Sequence, residues 1–209
     1  MSKESKIILL VAAVVIAGIA ILIGFVNSKQ LDPAGIMEKI VREDSRTYGT
    51  GDVYLVEFGD YQCPACASVN PDIEKLKEEY KDTMTFVYRN FPLPGHANAQ
   101  AAAEAAEAAA SQGKFWEMHT LLFEKQNEWS ALADPNSLFT QYAESLGLDK
   151  EQFADDITGK ANKDRISSDQ SDGYAVGVSG TPTFFVNGKK LNSIDYDSIK
   201  KAIDLELGN

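Results

Sequence analysis

The chain has 209 residues, 44% of them hydrophobic, and a formal net charge of −11. That is enough apolar material for one packed core, while the excess of negative charge excludes a role that depends on neutralising nucleic-acid phosphates. Only two cysteines occur, Cys63 and Cys66, so a small scaffold stapled by several disulfides is excluded too.

Residues 7–26 are an uncharged run of twenty aliphatic, Phe and Gly residues. At ~1.5 Å per residue such a run spans the ~30 Å hydrocarbon layer, so it is expected to form a single transmembrane helix. A cleaved secretory leader, cut near Gly18 to Ala20, is the rival reading. It is disfavoured because the apolar stretch is long and its exit, Phe25-Val26-Asn27-Ser28, lacks a small-x-small site. Lys3 and Lys6 ahead of the run place residues 1–6 in the cytoplasm. The expected location is therefore the cell membrane, single-pass, with the catalytic part on the extracytoplasmic side.

Residues 27–50 are polar, carry Pro33, Gly35 and Gly49, and read as a linker with room for a short helix near Ile36–Val41. Residues 51–209 then read as one domain. Its first strand is Val53-Tyr54-Leu55-Val56-Glu57-Phe58, a β-rich apolar run with the pattern of a strand buried on both faces. A helix to about Tyr80 and a strand over Thr83–Tyr88 complete a βαβ unit. Residues 97–110 contain ten alanines and open an all-helical insertion, about 95–176, with further helical patterns at roughly 114–127, 135–146, 149–158 and 162–176. After it, Thr181–Val186 and Lys189–Leu191 flank Asn187-Gly188, a hairpin signal, and Tyr196–Leu207 closes the chain as an amphipathic helix.

The chemistry lies in Cys63-Pro64-Ala65-Cys66. Cys63 falls where a buried strand gives way to a helix, so unpaired N–H groups and the positive end of the helix dipole face its sulfur. Cys66 sits one turn in, close enough to form a disulfide with Cys63. The pattern assigns attack to Cys63 and resolution to Cys66. Competing readings are a zinc site, a copper carrier and an inert disulfide. The only histidines, His96 and His119, do not complete a compact zinc spacing and read as surface or helix-packing residues. No metal and no cofactor beyond the cysteine pair is expected.

Residues 56–66, Val-Glu-Phe-Gly-Asp-Tyr-Gln-Cys-Pro-Ala-Cys, and residues 177–188, Gly-Val-Ser-Gly-Thr-Pro-Thr-Phe-Phe-Val-Asn-Gly, flank the helical block. Together they resemble the DsbA-like branch of the thioredoxin superfamily over roughly residues 50–207. The resemblance implies an α/β thioredoxin-like fold with an all-helical insertion, here preceded by the single transmembrane helix. It also implies that Pro182 is the cis-proline facing the cysteines, and that Thr181 before it tunes potential and substrate release. Glu57 would be the buried acid that moves the proton of the resolving cysteine; the alternative is a strand residue facing solvent. Pro71 falls where such proteins bend the active-site helix. Pro64-Ala65 lacks the histidine of the strong oxidants, which leaves oxidising strength open.

The expected activity is protein disulfide oxidoreduction, as a dithiol oxidase acting on exported protein or peptide thiols. A membrane redox partner would recycle the disulfide, with no nucleic-acid partner and a monomeric state. A reductase or isomerase of the same fold is the alternative, followed by a non-enzymatic membrane-tethered metal- or peptide-binding module.

Overall fold

A computed structural model describes residues 5, 14–19, 31–157 and 159–208. Among the described residues no helix is long and apolar enough to cross a membrane. This corrects the expected architecture: the α/β domain is present, and no transmembrane helix ahead of it is found among the described residues. Of residues 7–26 only 14–19 are described, as helix, and at ~1.5 Å per residue they cover less than a third of the ~30 Å layer. The rest of that expectation lies outside the described residues.

The sheet is built around β2 (Val53–Gly59) and β3 (Met84–Asn90), which pair in parallel with Val56 opposite Val87. Their β-branched and aromatic side chains are covered on both faces, the condition under which a parallel pair is stable. β1 (Arg46–Tyr48) adds antiparallel to β3, and β4 (Thr183–Val186) adds antiparallel to β2, with β5 (Lys189–Lys190) outside it. The order is β1-β3-β2-β4-β5. At the β4–β5 turn Asn187 and Gly188 have φ of 46° and 77°, the pair of positive angles that a two-residue hairpin requires. A side chain at 188 would also collide with the backbone of Pro33.

Alternation along β2 sorts the core. Val53 and Leu55 join Phe86, Tyr88 and Phe184 in the larger apolar cluster, under α2 (Pro64–Glu79) and the C-terminal helix. Val56 and Phe58 join Val87, Phe91 and Phe185 on the other face, closed by Ile40 and Val178.

Between β3 and β4 lie α3 (Ala99–Ser111), α4 (Phe115–Glu124), α5 (Gln126–Trp129), α6 (Asn136–Ser145), α7 (Lys150–Ile157) and α8 (Lys160–Ala175). The alanine-rich α3 is buried nearly all round and touches α4, α6, α7 and α8. A helix of the best helix former, with almost no side-chain entropy to lose, can occupy that central place. The chain closes with α9 (Tyr196–Leu207), started by Asp195, whose carboxylate accepts the Ser198 N–H at 3.0 Å.

Part of the stretch assigned to the linker belongs to this body. α1 (Pro33–Ile40) is capped by Asp32, which accepts the Gly35 N–H at 2.8 Å, and buries Ile40. The three residues of β1 gain their structure from β3 alone. A buried ionic network ties these parts together. Arg89 of β3, fully buried, meets Asp169 at 2.7 Å and Asp172 at 2.6 Å on α8 and donates to the Ile40 carbonyl at 2.7 Å. Arg42 pairs with the same two carboxylates.

Candidate active site

β2 ends at Gly59, and the loop Asp60–Gln62 delivers Cys63 to the start of α2. Cys63 is the N-cap, with extended backbone and an N–H donated to the Asp60 carbonyl at 3.0 Å. Pro64 follows in the first turn, where its missing N–H leaves no bond unmade. Cys66 is fully buried and Cys63 is 6% exposed, so only Cys63 meets solvent. Both are thiols in this structure.

The β4 end of the sheet brings up the second strand of the site. The Thr181–Pro182 peptide bond is cis. The Cys63 thiol donates to the Thr181 carbonyl oxygen at 3.4 Å. Thr181 Oγ1 is buried with no partner of its own. An unpaired buried hydroxyl is costly, and a thiolate at Cys63 supplies the acceptor it lacks.

These groups separate the two thiols. The Cys66 thiol, bonded to the Cys63 sulfur, is the main influence holding Cys63 down to about 5. Burial opposes it, and the Thr181 hydroxyl and the N–H groups of Cys66 and Ala65 assist. Burial pushes Cys66 up, the shared hydrogen bond with Cys63 pushes it further, and the nearby Glu57 carboxyl adds to this. At neutral pH the pair therefore holds one thiolate, on the outer sulfur, and one proton, on the inner.

Glu57 faces the α2 side of the sheet with Val53 and Leu55, between Tyr88 of β3 and Phe184 of β4. It is 2% exposed, and burial pushes its carboxyl up to about 8 against the pull of Lys77. Its side chain does not face solvent. Lys77 lies on the buried stripe of α2. Its Nζ is 2.8 Å from Glu74 and 4.6 and 4.3 Å from the ring centroids of Tyr48 and Trp116. The spacing Ile73–Lys77 placed it on that stripe, a signal in the sequence that the reading above did not use.

The loop itself is held by amides from the helical layer. Gln126 Nε2 donates to the carbonyls of Tyr61 at 2.7 Å and Cys63 at 3.1 Å. Gln62 accepts the Asn98 N–H at 2.6 Å and donates to the Ser130 carbonyl at 2.8 Å. The buried Asp60 carboxylate accepts the N–H groups of Gln62 and Leu93 at 2.7 and 2.9 Å and lies 2.6 Å from His96 Nδ1. His96 thus braces the loop. His119 is fully buried among Tyr61, Tyr88 and Phe123, with Nδ1 3.0 Å from the Tyr61 hydroxyl. Pro71 lies within α2.

The profile of the family described as Thioredoxin matches residues 43–205. The chain belongs to the thioredoxin family. BdbD from Bacillus subtilis, in its oxidised crystal structure, superposes on this thioredoxin-family chain with a TM-score of 0.71 at 29% identity, covering 79% of this chain and 94% of that one. The thiol-disulfide exchange protein alpha-DsbA2 from Wolbachia pipientis shares the fold, with a TM-score of 0.71 at 20% identity over 83% of this chain and 95% of that one. The Na+/H+ antiporter NhaA 3 of Salinispora tropica is 43% identical over 139 residues, which are 66% of this chain and 20% of that protein. Of the first curated relatives it matches, the chain spans only 20% to 32% of the length. The CxxC stands at a helix start facing a cis-proline, an arrangement that on a thioredoxin fold can exchange thiols and disulfides.

Proposed function

We propose that the protein is a dithiol oxidase, passing a Cys63–Cys66 disulfide to the thiols of exported proteins on the extracytoplasmic side of the cell membrane. A membrane redox partner reloads it by accepting its two electrons. The observation that carries this reading is Cys63 at the N-cap of α2, its sulfur 3.4 Å from the Thr181 carbonyl before the cis-proline, a setting that holds its thiol down to about 5.

A client thiolate attacks the Cys63 sulfur of the disulfide, and the S–S bond breaks toward Cys66, which leaves as a thiolate and takes up a proton. Glu57, neutral up to about pH 8, lies close enough to raise the Cys66 thiol and is the group that supplies that proton. A second client thiolate then attacks the client sulfur of the mixed disulfide. Cys63 departs as a thiolate, the client is oxidised by two electrons, and the enzyme is left as a dithiol. A low-pKa sulfur is the better leaving group, and stabilising the reduced form makes the disulfide the stronger oxidant. Thr181 and Pro182 border Cys63 and shape the surface on which the client strand lies.

Equilibration with glutathione tests the reading, together with thiol trapping in cells. The expected results are a potential less negative than the roughly −220 to −260 mV cytosolic glutathione poise and an oxidised resting pair. A more negative potential with free Cys63 and Cys66 in cells would replace the oxidase with a reductase or isomerase.

A further inference from the structure

A cleft of about 320 Å³ opens beside the cysteine pair, between Ala65, Ser68, Val69 and Asp72 of α2 and Ile194 and Asp195 ahead of α9. It is at the small end of the ~300–1,000 Å³ range of ligand clefts, sized for one or two residues of an extended chain. Its floor is apolar, and Ile194 is exposed there. Both of its ionisable groups are carboxylates. Asp72 makes no hydrogen bond or ion pair among the described residues, and its side chain is partly exposed. Asp195 is held down to about 2 by hydrogen bonds from Ser193 and Ser198, so it carries its charge at any working pH.

The cleft starts within the cysteine motif, because its first lining residue, Ala65, lies between Cys63 and Cys66 in the chain. We propose that it receives the polypeptide on one side of the client's reactive cysteine and selects for a lysine or arginine there. The inference rests on the thiol-exchange reading and names the substrate class of that same site. From Cys63 to Asp72 the helix rises about 13 Å at ~1.5 Å per residue. An extended client covers ~3.3 Å per residue, and its long basic side chain covers the remainder, so the favoured position is about two to four residues from the client cysteine. The stem of the side chain lies along Val69 and Ile194, and its cation reaches the free Asp72 carboxylate.

The test uses the oxidised protein and single-cysteine peptides carrying Lys, Ala or Glu three residues from the cysteine on either side. Mixed-disulfide formation is timed, and each peptide's rate is divided by its rate with oxidised glutathione, which removes the effect of the flanking charge on the peptide thiol. The Lys peptide is expected to react about tenfold faster than the Glu peptide at low salt, with the ratio shrinking as salt rises. Asp72→Asn should cut that ratio several-fold. Asp52→Asn, which removes the same charge at the opposite end of β2, should leave it unchanged. Equal loss in both variants would mean that the net charge of the chain sets the preference, and a ratio near one in the unmodified protein would mean that there is none; either overturns the cleft. No reaction with any peptide overturns the exchange reading and the cleft with it.

Discussion

The sulfur of Cys63 and the carbonyl oxygen of Thr181 lie 3.4 Å apart, joined across 118 positions of chain. This contact aligns the cis-proline segment with the helix that carries the motif, and it brings the unpaired Thr181 hydroxyl beside the reactive sulfur. Thr181→Val keeps the shape and removes the hydroxyl. The Cys63 pKa should rise by about one unit, or ~1.4 kcal/mol, and the potential should become more negative by ~30 mV. The pH dependence of alkylation and a glutathione titration read both. An unchanged pKa would show that the hydroxyl does not serve the thiolate.

Alkylation of the reduced protein should label Cys63 with a midpoint near pH 5 and leave Cys66 unmodified. The same shift makes stability depend on pH. Because the folded pKa lies below the ordinary value of 9.0, the thiolate stabilises the reduced form fully above pH 9, and that stability is lost as pH falls through 5. The reduced form should therefore gain on the oxidised form between pH 5 and 9, at no more than ~1.4 kcal/mol per unit and less where solvent screens the sulfur. Denaturant melts of both forms across that range measure it; a flat difference contradicts the assignment.

Glu57 has the opposite sign. Its folded pKa, about 8, lies above the ordinary 4.5, so the native state keeps a proton that the unfolded chain releases. Its contribution is fully favourable below about pH 4.5 and is lost as pH rises to 8, at ~1.4 kcal/mol per unit. Glu57→Gln should flatten that decline, so its stability advantage grows from pH 4.5 to 8. The same variant should slow the release of Cys66 from the disulfide on the order of 10²-fold. Stabilisation without slowing would leave Glu57 as a buried acid with no part in the exchange.

Gln126→Ala leaves the carbonyls of Tyr61 and Cys63 without their shared donor. A loss of about 1–2 kcal/mol is expected, with a larger proportional loss in exchange rate because the loop carries the nucleophile. Unfolding midpoints and mixed-disulfide kinetics on the same sample separate the two effects.

Arg89→Leu would strand the buried Asp169 and half-buried Asp172 without their inner partner. Removing one member of a buried ionic group costs about 3–5 kcal/mol, so denaturation should detect it readily while the Cys63 pKa stays near 5.

What consecutive residues specify was legible from the sequence alone. Hydrophobic runs locate β2 and β3, alanine marks α3, Asn187-Gly188 marks the hairpin, and the residues around Cys63 and Pro182 mark the reactive pair and its facing loop. Each depends on local propensity or period, which a sequence displays directly. The apolar run at 7–26 was legible too, but apolar length alone did not decide a membrane span. Tertiary structure decided what depends on distant partners. Arg46–Tyr48 is a strand only because β3 offers it an edge, so residues that resemble a linker belong to the sheet. Gln62, Asn98 and Gln126 are ordinary polar residues until folding aims them at carbonyls and N–H groups across the loop. The split between the two thiols is likewise tertiary. It arises from burial of Cys66, from the position of Glu57 beneath it and from Thr181 above Cys63, and a pKa is set by what surrounds a group in space, whatever its place in the chain.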